Sequence, residues 1–138
     1  SMNPESSSLS DFVHYVKLYA SEVLEINGTA FNFKVNHDIP DYTLNPEQRR
    51  NLFLIIKESL HNSIKHASAK EIVLVYEKTE NGHRLSIRDN GMGFSEQDIQ
   101  TKKGNGLSNL QKRAIKINSR VNIQSEPGKG TVVIIDFI

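Results

Sequence analysis

Four short segments of this chain carry residue types able to do chemistry: Glu58-Ser59-Leu60-His61-Asn62, Asp89-Asn90-Gly91-Met92-Gly93, Gly104-Asn105-Gly106 and Gly128-Lys129-Gly130-Thr131. Taken singly, each has an ordinary explanation. Glycine pairs usually mark turns, and a Glu/Asn helix face usually meets only water. Their order and spacing are more informative, and together they point to a nucleotide pocket.

Glu58, Asn62, Lys65 and His66 fall at helical spacing on one stripe, opposite an arc of Leu52, Phe53, Ile56, Leu60 and Ile64. A solvated polar face is the common meaning of such a stripe. Here Leu54 and Ile55 flank it on its own side, so it is expected to line a cleft. The Asn62 carbonyl oxygen suits Mg²⁺, a hard cation that keeps waters and bridges to phosphates. Glu58, one turn earlier, is placed to act as a base or orient a water, and Lys65 to balance phosphate charge.

Asp89 follows Leu85 and Ile87 in strict alternation, so it is expected to face the core. A buried carboxylate needs hydrogen-bond donors, and the exocyclic amine of adenine is one. The alternative is an Asp-Asn-Gly turn with a solvated aspartate. Gly91 and Gly93 allow a tight turn and a close approach to a flat ring. Gly104-Asn105-Gly106 precedes a predicted helix, whose free amides and dipole favour phosphate. The Gly-Lys-Ser/Thr ending of a Walker A loop is absent, and Lys129 reads as a hairpin-turn residue.

The elements that must position these groups follow from periodicity. Apolar residues at 9, 12, 13, 16, 20, 23 and 24 predict a helix from Leu9 to about Ile26, stopped by Asn27-Gly28. Thr29 to Val35 alternates as a half-buried strand with Phe31, Phe33 and Val35 on one face. Pro46 opens a second helix running to about His66. Glu71 to Glu77 and Arg84 to Asp89 form an antiparallel pair about an Asn81-Gly82 turn. Residues 90 to 105 form a long loop, with a short helix near Ser95 to Ile99. A helix from about Leu107 to Ile117 and a strand pair, Arg120 to Ser125 and Thr131 to Phe137, complete the chain. The pattern predicts an α+β fold: a two-layer α/β sandwich of one mixed, mostly antiparallel sheet with about three helices on one face.

With 138 residues the chain is long enough for one real core and too short for two. A net charge of +1, with scattered cations, offers no basic field for a nucleic-acid partner. The absence of cysteine excludes disulfides, thiol nucleophiles and Cys-ligated zinc, which suits the cytosol. The five histidines lack HExxH-type spacing, and no apolar run approaches the ~18 residues of a membrane span. Ser1-Met2 reads as the remnant of a cleaved tag, with residues 1–8 as tag and linker and 9–138 as the domain.

In order and spacing the four segments resemble the motifs of the ATP-binding catalytic domain of two-component sensor histidine kinases. Those belong to the Bergerat-fold superfamily that includes gyrase, chaperone and mismatch-repair ATPases. Glu58 to His66 resembles the N box, Asp89 to Gly93 the first glycine box, Gly104 to Gly106 the second, and Gly128 to Thr131 the closing Gly-x-Gly-Thr. The resemblance implies that Asn62 holds Mg²⁺, Asp89 reads the adenine amine and Glu58 assists phosphoryl transfer. It places Lys65, His66, Asn105, Leu107 and Thr131 among the ATP contacts and makes residues 94 to 105 the lid.

The short lid, the missing phenylalanine-centred box and Gly104-Asn105-Gly106-Leu107 followed by Gln111-Lys112-Arg113 look most like the nitrate-sensor branch. The family's phosphoacceptor histidine has no counterpart: His37-Asp38 mimics its dipeptide but sits just before Ile39-Pro40, away from any helix. The implied partners are therefore an upstream dimerisation and phosphoacceptor domain and, indirectly, a response regulator, for a cytoplasmic domain of a parent that the resemblance allows to be membrane-anchored. A degenerate kinase that binds nucleotide without transfer, and an anti-sigma-factor serine kinase, are the alternatives.

Overall fold

Each helix starts and stops where local chemistry satisfies its end groups. The structure, a computed structural model, describes residues 7–36, 38–65, 68–93 and 106–138, without the side chains of 106–108. Helix α1 spans Leu9–Asn27. The Ser8 hydroxyl accepts the Asp11 N–H at 3.0 Å at its start. Gly28, at φ +77°, closes it by donating to the Glu25 carbonyl. Helix α2 spans Pro46–Lys65 behind a reciprocal cap. Asn45 Oδ1 accepts the Gln48 N–H at 2.8 Å while Gln48 Oε1 accepts the Asn45 N–H at 3.1 Å.

Five strands form one sheet: β1 (Ala30–Val35), β2 (Glu71–Lys78), β3 (His83–Asp89), β4 (Arg120–Ser125) and β5 (Thr131–Phe137), in the order β1-β2-β3-β5-β4. Only β1 and β2 pair in parallel; the other three pairings are antiparallel. Helix α3 (Gly106–Lys116) packs on α2, and α1 packs on β1 and α2. The expected two-layer fold is therefore present, with three helices among the described residues on one sheet face.

That face supplies the core. Ile72, Leu74 and Tyr76 of β2, Leu85 and Ile87 of β3, and Val133, Ile135 and Phe137 of β5 are buried against Phe12, Val16, Leu24, Leu52, Ile56, Leu60 and Leu110 from the helices. Phe31 and Phe33 pack at the edge of this cluster as their alternation predicts. Val35 does not join them: it is exposed at the open end of the edge strand β1. The β2–β3 connection is a four-residue turn, with Thr79 N–H donating to the Gly82 carbonyl. A Cβ on Gly82 would lie 2.3 Å from the Phe137 carbonyl oxygen, so this glycine is required by close approach. The short helix expected near Ser95 to Ile99, and the lid as a whole, lie outside the described residues.

At the opposite end of β3 from Asp89, His83 is buried between Tyr42 and Phe137, with Nδ1 2.8 Å from the Tyr76 hydroxyl. Burial first, then the charge of nearby Lys78, holds its pKa below the ordinary value. The unfolded chain therefore binds the proton more tightly. Stability is expected to be complete above about pH 6.5 and to fall as pH drops from there through the folded-state pKa. A His83→Gln variant, compared by urea titration at pH 7.5 and 5.5, should lose part of that slope.

Candidate functional site

Strand β3 alternates His83, Leu85, Ile87 and Asp89 inward, so its last residue delivers a carboxylate to the helix side of the sheet. Asp89 is 5% exposed. Its Oδ1 accepts the Gly91 N–H at 2.9 Å and the Thr131 N–H at 3.2 Å. Its Oδ2 accepts the Ser63 hydroxyl at 2.6 Å. The inward orientation matches the sequence expectation, whereas the reason for tolerating the burial does not. Three protein donors already satisfy much of this carboxylate, so its burial does not by itself demand a ligand. A carboxylate oxygen offers about two acceptor sites, which leaves Oδ2 with one in reserve.

Ser63 was not among the expected site residues. The buried face of α2 comprises Asn51, Leu52, Ile55, Ile56, Ser59, Leu60, Asn62 and Ser63, so two serines one turn apart lie in its middle. Ser59 turns its hydroxyl back to the Ile55 carbonyl, and Ser63 reaches across to β3. The available signal was two small polar residues among apolar neighbours at i and i+4. Asn90 was also missed: its Oδ1 accepts both the Lys70 and Glu71 N–H groups at 2.9 Å, tying the Asp89 turn to the start of β2.

The stripe expected on α2 follows the margin of this buried face. Asn62 is 8% exposed, Glu58 is half-buried and Lys65, the last helical residue, is exposed. Leu54 is half-buried and Ile55 buried, as a cleft-lining stripe requires. The Asn62 Nδ2 is closed off from solvent and has no hydrogen-bond partner among the described residues. An unpaired buried amide costs about 1–3 kcal/mol, so this nitrogen calls for a partner.

Gly93 and Gly130 serve a purpose that was not anticipated. Gly93, at φ +71°, passes so close to the β4–β5 turn that a Cβ would lie 2.0 Å from the Glu126 carbonyl oxygen. Gly130, at φ +80°, would place its Cβ 2.1 Å from the Asp89 carbonyl oxygen. Both closely approach the backbone of the neighbouring turn, which locks the Asp89 loop to β5. Gly128 N–H donates to the Met92 carbonyl and completes the contact. Thr131 is buried, its hydroxyl 2.8 Å from Ser125 Oγ, and exposed Lys129 pairs with Glu126, as a turn residue would.

The structure thus brings Asp89, Gly91, Gly93 and Thr131 together under Ser63, the residue next to Asn62 on α2. Gly106 is the first residue of α3 and Leu107 the second, so the expected helix begins at the last glycine of that segment. His66, Gly104 and Asn105 lie outside the described residues.

Three helices among the described residues over one face of a mixed sheet, with a buried carboxylate at a strand end held by Ser63 of α2, have the architecture of a nucleotide-handling ATPase domain. Residues 47–138 match the family described as histidine kinase-, DNA gyrase B- and HSP90-like ATPase, and the chain belongs to it. It is 32% identical over 98 residues to sensor protein VraS of Staphylococcus haemolyticus, covering 71% of this chain and 28% of that one. It is 31% identical over 121 residues to the signal transduction histidine-protein kinase/phosphatase DegS of Bacillus subtilis, covering 86% and 31%. To the nitrate/nitrite sensor protein NarX of Escherichia coli it is 28% identical over 108 residues, covering 78% and 18%. The chain therefore spans less than a third of each of these relatives. The catalytic domain of histidine kinase ThkA has the same fold, with a TM-score of 0.76 at 17% identity over 96% of this chain and 95% of that one. The domain is accordingly of the ATP-binding type found in sensor histidine kinases. Among the described residues, no helix is long and apolar enough to cross a membrane.

Proposed function

We propose that this domain binds Mg·ATP and presents the γ-phosphate to a histidine on a separate dimerisation domain of its parent protein, as the first step of a two-component relay. The observation that supports it best is the neighbouring pair on α2: Ser63 fixes Asp89, and Asn62 beside it holds a buried amide nitrogen with no partner among the described residues. Asp89 Oδ2 accepts the adenine amine, and Gly91 and Gly93 carry the backbone past the ring. Asn62 turns its carboxamide oxygen toward Mg²⁺. Its side chain fits by chemistry, since the carboxamide oxygen is a hard donor, and the other ligands would be phosphate and water. When bound, the cation neutralises phosphate charge.

Glu58, half-buried one turn earlier, orients the incoming imidazole or takes its proton. Lys65, Thr131 and the start of α3 at Gly106 and Leu107 would bind the phosphates, and the family resemblance adds His66 and Asn105 to that set. Transfer forms a phosphorus–nitrogen bond and releases ADP, and the domain contributes mainly positioning. A response regulator then receives the phosphoryl group.

The test is calorimetric titration with a non-hydrolysable ATP analogue, with and without Mg²⁺. Asn62→Ala is expected to lose at least about tenfold of the Mg²⁺-dependent affinity, or about 1.4 kcal/mol. An unaltered Mg²⁺ dependence would remove the metal role. With labelled ATP the chain should not label itself but should label a supplied dimerisation domain; robust self-labelling would overturn the assignment.

A further inference from the structure

The first turns of α1 and α2 frame a groove of about 310 Å³ walled by Tyr15, Leu44, Pro46 and Phe53. It is separate from the nucleotide site: Arg49, which lines it, lies 13 residues before Asn62 on α2, or about 20 Å along the helix at ~1.5 Å per residue. The Arg49 guanidinium stacks near the rings of Phe12 and Tyr15, at 5.8 and 5.4 Å. Its Nε and Nη2 are closed off from solvent and have no hydrogen-bond partner among the described residues. These two atoms form one edge of the guanidinium, the fork that matches both oxygens of a carboxylate. Leaving that fork dry and unpaired is costly, and the described residues place no carboxylate on it. The exposed Arg50 adds a second positive charge at the groove.

We propose that this groove docks an acidic polypeptide segment, in which a Glu or Asp side chain pairs with Arg49 and an adjoining apolar side chain lies against Tyr15 and Phe53. The charge of the groove and its apolar walls select that occupant together. A bare anion would leave the walls wet, and a purely apolar segment would leave the fork unpaired. A groove this small takes about one anchor side chain and its neighbour. A swing of the flexible Arg49 stem presents the fork to the incoming carboxylate.

The probe is the tripeptide acetyl-Phe-Glu-Leu-amide, titrated into the whole chain and followed by the NMR signals of Arg49 Nε–H and the Tyr15 and Phe53 rings. Saturable shifts at these three residues are expected, with binding at least tenfold weaker for acetyl-Phe-Gln-Leu-amide and for the Arg49→Lys variant. The Glu-to-Gln comparison needs no variant, so it holds even if Arg49→Lys folds poorly. Affinity for the ATP analogue should be the same with and without the tripeptide, which separates this result from the fate of the nucleotide reading. Equal binding of the Glu and Gln peptides would overturn the proposal. So would phenylacetate binding as tightly as the peptide, which would make this a small-acid site, or shifts at residues away from the groove.

Discussion

Asp89→Asn is expected to lower the affinity for an ATP analogue by about 100-fold, near 3 kcal/mol, while leaving the fold intact. The bonds already made by the carboxylate explain both halves. Oδ1 accepts two backbone N–H groups, from Gly91 and Thr131, so an asparagine must place its oxygen there. The amide nitrogen then occupies the Oδ2 position, where the Ser63 hydroxyl can rotate from donor to acceptor. Every internal partner survives, and the melting temperature should change by only a few degrees. What changes is the one acceptor site left for a ligand, which becomes a donor facing the donor amine of adenine.

The same swap should change base selectivity. Guanine presents an oxygen where adenine presents its amine. The ratio of ATP to GTP analogue affinity should therefore fall by more than the ATP affinity alone. A variant that binds both as the wild type does would sink the assignment of Asp89.

Most of the elements were legible because their signals are local. The apolar period from Leu9 and the proline at position 46 announce the two helix starts within a few residues. The period-2 run ending at Asp89 turns that side chain inward without any tertiary information. The strand order was not legible, because the insertion of β5 between β3 and β4 depends on pairing between residues about 50 apart, such as His83 with Phe137. A shorter but equally non-local separation hid Ser63: the hydroxyl has no local reason to be on the apolar face of α2, and its partner lies 26 residues away.

The glycines were found for an incomplete reason. Gly-x-Gly spacing suggests room for a ligand, whereas Gly93 and Gly130 lack a Cβ because two backbone turns meet there. The two explanations can share one residue, since a loop locked by close backbone contact is also a loop held still for a ligand.

Gly130→Ala should accordingly be among the most damaging single-methyl additions to this chain. The new Cβ would fall 2.1 Å from the Asp89 carbonyl oxygen and 3.2 Å from the Asn90 Cα, both backbone atoms with no rotamer to escape into. At φ +80° the alanine is also strained before any contact is counted. Relief requires β3 and β5 to part where Asp89 faces Thr131, at the end of the central antiparallel pairing. A cost of about 3–5 kcal/mol is expected, or a fall of roughly 10 °C or more in melting temperature. Gly128→Ala is the control. Its φ of +81° imposes the same dihedral strain, but nothing lies within 4 Å of its Cβ, so it should cost only about 1 kcal/mol. If the two variants unfold together, strain alone sets the cost and the close approach is unimportant. If Gly130→Ala melts far lower and also binds the ATP analogue more weakly while still folded, the contact that holds the two turns together is also what holds Asp89 in place.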